Sequence, residues 1–135
     1  MRKMTNERPI LAYVAGRYSG ANRAWIDLNI QAAKHCALIL MEMGYFPVCP
    51  NMNTAHFDDY FEKDVEFYYR GDMEILKNCN LVVMVQGWKD SEGAVMERKM
   101  AKKLVIPVFD SVDDVPFREE FVKMFSKTHS FVAPC

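Results

Sequence analysis

Residues 81–103 read LVVMVQGWKDSEGAVMERKMAKK, and three kinds of segment follow one another within them. Leu81–Val85 is a short, unbroken apolar run rich in β-branched residues, which is how a strand buried on both faces of a parallel sheet reads. A polar stretch with Gly87 and Gly93 interrupts it. From Gly93 to Lys103 the apolar residues Ala94, Met96, Met100 and Ala101 recur at helical spacing and predict a helix packed by that side. A buried strand that passes directly into a helix is half of a crossover unit, the connection that parallel strands require.

The same alternation extends in both directions. Ile10–Ala15, Tyr45–Cys49 and Leu104–Phe109 are further short apolar runs bounded by Gly, Pro, Asn or Asp, and each predicts a strand. Trp25, Leu28, Ala32, Cys36, Ile39 and Met43 predict one apolar face of a long first helix that Gly44 can terminate. A second helix is expected over Tyr60–Lys77, where Asp72 occupies a position the pattern reserves for core. A fourth is expected from Pro116 to about Phe125, after the start signal Asp113–Asp114. The fold class is therefore α/β: a Rossmann-like (flavodoxin-like) parallel sheet of four to five strands with helices on both faces. Its 135 residues fit a single domain, with a core of about residues 10–109 and a C-terminal helix and tail over 116–135. Ligands in such sheets bind outside the carboxyl ends of the strands. Three loops are expected there: Gly16–Arg23, Pro50–Asp59 and Gln86–Glu92.

Charge and composition narrow the functional classes. With 17 basic and 18 acidic residues the net charge is −1, so no broad cationic field exists to hold a nucleic-acid polymer. A small phosphorylated ligand is not disfavoured. Met1–Pro9 carries charges of both signs without the apolar centre of a signal peptide, and no apolar run is long enough to span a bilayer, which points to a cytoplasmic protein without a membrane partner. Cys36, Cys49, Cys79 and Cys135 are widely spaced, with no C-x-x-C pair, and read as reduced thiols rather than zinc ligands.

The three loops bring chemistry-bearing residues to one end of the sheet. The first contains Gly16, Arg17, Tyr18, Ser19, Gly20, Ala21, Asn22 and Arg23. Glycines permit close backbone approach, and Arg17, Ser19 and Arg23 supply donors for phosphate oxygens. This suits one phosphate group and matches neither the Walker loop nor the dinucleotide fingerprint; a solvated turn with surface arginines would carry the same residues. In the third loop Ser91 or Glu92 can cap the helix, Gly93 allows close approach, and Glu97 is expected in the first turn, where the helix N-terminus favours a carboxylate anion. An ordinary acidic first turn is the alternative. Asp72 requires either a partner or a function, since a buried carboxylate is costly alone. His56, in the middle loop, suits either a ligand-facing or a surface position.

Taken together, these segments resemble the nucleoside 2-deoxyribosyltransferase-like superfamily, in particular its nucleoside 5′-monophosphate N-glycosidase branch. The resemblance rests on Tyr13-Val14-Ala15-Gly16 at the end of the first strand, on Asp72-Met73-Glu74-Ile75-Leu76 before the third, and on Gly93 followed four residues later by Glu97. A bacterial and phage subgroup carries a Gly-Trp-x-x-Ser-x-Gly-Ala-x-x-Glu segment like Gly87–Glu97. The resemblance implies that Glu97 is a nucleophile, that Asp72 contacts sugar or base, and that Tyr13 positions the Glu97 carboxylate. The transferases have Asp six residues before the nucleophile, whereas this chain has Ser91, as the monophosphate hydrolases do. That departure points to hydrolysis rather than exchange.

The expected reaction is attack of Glu97 on C1′ of a nucleotide, then release of a sugar phosphate by water, with no metal and no cofactor. Phosphate would be held by Gly16, Arg17, Ser19, Gly20, Arg23, Ser91 and Gly93. Two other classes compete: a nucleotide-sensing module without turnover, and an NAD-cleaving glycohydrolase. Assembly into a homodimer or higher homo-oligomer is also expected. Phe117, Phe121, Val122, Phe125, Phe131 and Val132 are more apolar bulk than one edge helix needs, and Ser126, Thr128, His129 and Ser130 between them could reach a partner's phosphate loop. A tail folded over its own sheet is the alternative.

Overall fold

The computed structural model describes residues 8–62 and 64–125. Four parallel strands, β1 (Leu11–Ala15), β2 (Phe46–Val48), β3 (Leu81–Met84) and β4 (Val108–Phe109), form one sheet in the order β2-β1-β3-β4. Val14 lies beside Val83, and Tyr13 lies between Val48 and Val82. The expected α/β Rossmann-like fold is the one observed. The strand order switches between β1 and β3, with β2 added on one side of β1 and β3 and β4 on the other, and the crevice at such a switch point is where an open parallel sheet places its ligand.

Alternate residues of the strands feed two cores, as side chains in a strand must. Ile10, Ala12, Val14, Leu81 and Val83 face Ala33, Cys36, Ala37 and Leu40 of helix α1 (Arg23–Glu42). The terminal helix α5 (Arg118–Phe125) adds Phe121 to that side, where it meets the rings of Tyr45, Phe109 and Phe125. The C-terminal aromatics of the described residues thus serve partly their own sheet, while Phe117 is 65% exposed and residues 126–132 lie outside the described residues. Tyr13, Ala15, Val82 and Met84 face the other side, against Met73 and Leu76 of α3 (Val65–Leu76) and Ala94 and Ala101 of α4 (Glu92–Lys103). The short α2 (Pro50–Asn53) and a 3-10 turn at Phe57–Asp59 occupy what the sequence presents as a plain loop.

Several expected boundaries move, each for a physical reason. The buried stripe of α1 is Ala33, Cys36, Ala37 and Leu40; Trp25 and Leu28 are 56% and 58% exposed. A helix of this length runs about 30 Å against about 17 Å for β1, so its first turns overhang the sheet. Gly44 ends α1 as expected, with φ at +100°. The α3 helix starts at Val65 rather than near Tyr60, because the Asp64 carboxylate caps it by accepting from the Phe67 N–H at 2.8 Å. Likewise α4 begins at Glu92, and α5 at Arg118, with Val112–Asp114 a 3-10 turn before it.

Leu104–Phe109 is mostly not the expected strand. Leu104 closes α4 and Val105 turns the chain with φ at +59°, so only Val108–Phe109 pairs as strand. A β-branched residue in the left-handed region is strained. Val105 is also 79% exposed and packs on little. Val105→Gly should therefore stabilise the protein by about 1 kcal/mol, measured as a rise in thermal or denaturant midpoint; an unchanged or lowered midpoint would mean the turn carries no strain.

Candidate active site

Tyr13 is fully buried in β1, on the face covered by α3 and α4. Its phenol donates a hydrogen bond to Oε2 of Glu97. Glu97 is the sixth residue of α4 and lies in the second turn; the first-turn acid is Glu92. The expected stabilisation of a Glu97 anion by the helix end is accordingly overridden. Burial raises the Glu97 carboxyl from its ordinary value to about 8, the hydrogen bond from Tyr13 opposes that rise, and the negative charge of Asp72 adds to it. The Tyr13 phenol is pushed up by burial and by Glu97 and Asp72, so it keeps its proton and remains the donor.

Asp72, on α3, is half-buried, and burial lifts its carboxyl to about 6. No donor among the described residues reaches it. The core position that its helical register implies is instead a place on the wall of a cleft. That cleft has a volume of about 620 Å³, lies over the carboxyl ends of β1 and β3, and has Glu97, Asp72, Ser91, Gly93, Gly16 and Ser19 among its lining residues. An apolar annex of about 370 Å³, lined by Phe57, Phe61, Phe67 and Ile75, joins it at Thr54, Tyr68 and Asp72.

Local structure explains how these groups arrive together. The third loop is anchored by Trp88, whose ring packs beneath the Arg98 guanidinium at 4.8 Å, and Arg98 is held by Asp110 through two hydrogen bonds of 2.8 and 3.1 Å. Ser91 then caps α4, its Oγ accepting from the Ala94 N–H at 3.2 Å. Ser91→Ala should cost about 1 kcal/mol of stability through the lost cap; thermal unfolding would read it, and an unchanged melting temperature would contradict the capping role. A Cβ added at Gly93 would meet nothing within 4 Å, so the cleft is open at that point.

The first loop is partly brought to the site. Gly16, Tyr18 and Ser19 line the cleft. At Gly20 an added Cβ would lie 2.6 Å from the Trp25 Cβ, so the loop can pass over α1 only with glycine there. Arg17 is exposed and is not among the lining residues; its Nε donates to the Ser19 carbonyl at 3.1 Å. Arg23 pairs with Asp59 across to the middle loop. His56 donates its backbone N–H to the Tyr18 hydroxyl at 2.8 Å and its ring meets Asp27 at 2.6 Å, so it braces the middle loop and does not line the cleft.

Sequence reasoning passes over Asn51, Thr54, Asp58, Tyr68 and Tyr69, all of which line the cleft. Asn51 and Thr54 had one available signal, the polar cluster after a strand; the two tyrosines had none, since aromatics at helical spacing read as core. The three described cysteines, Cys36, Cys49 and Cys79, are free thiols, with burial holding Cys36 and Cys79 up at about 12, and Cys135 lies outside the described residues. No group of metal-ligating side chains occurs among the described residues, and none of their helices is long and apolar enough to cross a membrane.

The model of a family described as a domain of unknown function, DUF4406, matches residues 10–110. The chain belongs to the DUF4406 family. The DUF4406 span runs from the start of β1 past the end of β4 and includes Tyr13, Asp72, Ser91 and Glu97, so the cleft is built wholly from family sequence, while α5 lies beyond it. No curated protein matches the chain.

Proposed function

We propose that this protein hydrolyses the N-glycosidic bond of a nucleoside or deoxynucleoside 5′-monophosphate, with Glu97 as nucleophile. The observation that carries the reading is the buried Tyr13–Glu97 pair at the floor of a cleft whose wall holds the carboxyl of Asp72, which has no hydrogen-bond partner among the described residues. The phenol occupies one carboxylate oxygen and leaves the other to attack C1′. As the C1′–O bond to Glu97 forms, the bond from C1′ to the base nitrogen breaks; the base leaves with that electron pair and takes a proton from Asp72. Water then attacks C1′ and gives a proton to the ionised Asp72 as the C1′–O bond to Glu97 breaks, which releases the sugar 5-phosphate and restores both the Glu97 carboxylate and protonated Asp72. Neither step calls for a metal or a cofactor.

Two acids that titrate near 6 and 8 give this scheme a pH signature. The reactive form holds one proton on the pair, with Glu97 ionised and Asp72 protonated. A plot of kcat/KM against pH should be bell-shaped, with limbs near 6 and 8; a profile flat across that interval would exclude the pair. The reading itself is tested by quenching the reaction during turnover and examining the protein by mass spectrometry. A sugar-phosphate ester on the Glu97 peptide is the expected result, and base release with the adduct on another residue would remove Glu97 as nucleophile.

A second reading, nucleotide binding without turnover, is favoured by one observation. A carboxyl raised to about 8 is mostly protonated at neutral pH, which suits a hydrogen-bonding contact better than a nucleophile. Tight monophosphate binding with no base release would decide for it. Both readings have a cytoplasmic protein acting as a homodimer or higher homo-oligomer, for which the exposed Phe117, Trp25 and Leu28 offer apolar surface. Light scattering would measure the assembly.

A further inference from the structure

Four consecutive carbonyl groups of the first loop are held by the side-chain amides of two asparagines on different elements. Asn51 Nδ2, from α2, donates to the carbonyls of Gly16 and Arg17, each at 3.2 Å. Asn29 Nδ2, from α1, donates to the carbonyls of Tyr18 and Ser19, each at 3.1 Å. In a trans peptide the C=O and the following N–H lie in one plane and point in opposite directions, and no peptide bond among the described residues is cis. Fixing the carbonyls of residues 16–19 therefore fixes the N–H groups of Arg17, Tyr18, Ser19 and Gly20, and turns them away from the two amides. Among the described residues these four N–H groups have no acceptor. Successive free N–H groups form a cradle for an oxyanion, and Gly16, Tyr18 and Ser19 of this loop line the cleft.

We infer that Asn29 and Asn51 are positioning residues that hold the first loop as a backbone cradle for an oxyanion such as a phosphate group. The inference rests on the monophosphate reading for its place in catalysis, and it shifts the burden of phosphate recognition from Arg17 and Arg23 to the backbone. Arg23 is committed to Asp59, and Arg17 braces the loop from within through the Ser19 carbonyl. An asparagine suits this task because one NH₂ group carries two donors and so can bridge two adjacent carbonyls.

The test uses the full chain, inorganic phosphate as probe, and the variants Asn29→Asp, Asn51→Asp and the uncharged Asn51→Ala. Phosphate binding is measured by calorimetry and by 15N shifts of residues 17–20, backbone order by 15N relaxation, and folding by melting temperature. The expected result is phosphate-dependent shifts at those four amides in the wild type. Each variant should bind phosphate about tenfold more weakly, with greater mobility confined to residues 16–20 and a fold that still melts cooperatively. Asn51→Ala separates loss of the amide from repulsion by an added carboxylate. Wild-type phosphate binding that leaves residues 17–20 unshifted would overturn the inference, as would variants that bind like the wild type. A protein that binds phosphate at this loop yet releases no base from any monophosphate would contradict the proposed reaction and still support the cradle.

Discussion

Glu97→Gln should abolish base release, a loss of about 10⁴-fold or more as expected for removal of a nucleophile, and should at the same time make the protein more stable in alkali. The second effect follows from the sign of the carboxyl's displacement. Its value in the folded protein, about 8, lies well above its ordinary one. Between those two values the folded state holds a proton that the unfolded state has lost. Stability therefore falls as pH rises, with the contribution of neutral Glu97 complete below the ordinary value and lost as pH climbs through about 8. Glutamine keeps the shape and has nothing to ionise, so the melting temperature of the variant should lose that slope and exceed the wild type above pH of about 8. Parallel activity and unfolding measurements separate the two effects. Retained turnover would remove the nucleophile; identical pH slopes in both proteins would mean that Glu97 is not held neutral.

Tyr13→Phe is expected to have the next largest effect. The phenol draws the Glu97 carboxyl downward, against burial and the Asp72 charge. Without it the ionised form of Glu97 becomes rarer, and the free oxygen loses its orientation. The rate near neutrality should fall about 100-fold, and the alkaline limb of the rate profile should move to higher pH. Phenylalanine preserves the ring in a wholly buried position, so folding should be little affected. A variant with a slower rate but an unmoved limb would make Tyr13 a packing residue only.

The architecture was legible because its strands are buried on both faces and read as unbroken apolar runs, as Leu81–Val85 does. Leu104–Phe109 reads the same way and mostly is not strand, since Val105 and Ile106 serve a helix exit, a role that an apolar run does not disclose. Glu97 and Asp72 stood out as carboxylates among apolar helical neighbours, and burial has indeed displaced both. The electrostatic sense of Glu97 was misjudged by one helical turn: in the first turn the helix end would favour the anion, but in the second, over Tyr13, desolvation prevails. The first-loop arginines illustrate the opposite limit. Arg17 and Arg23 carry the right chemistry in sequence, yet which cation reaches a cleft depends on acceptors such as Asp59 that lie far away along the chain. Asn29 and Asn51 could not be singled out for the same reason, because an asparagine that grips a distant loop reads like any helix or turn residue.

Hydrolysis at Glu97 is tested by incubating the purified protein with the 5′-monophosphates of the common bases, in ribose and deoxyribose forms, beside the matching nucleosides, and measuring free base. Release of base together with a sugar 5-phosphate, faster from a monophosphate than from its nucleoside and absent in Glu97→Gln, is the expected result. Release that persists in Glu97→Gln, or no release from any monophosphate, would contradict it.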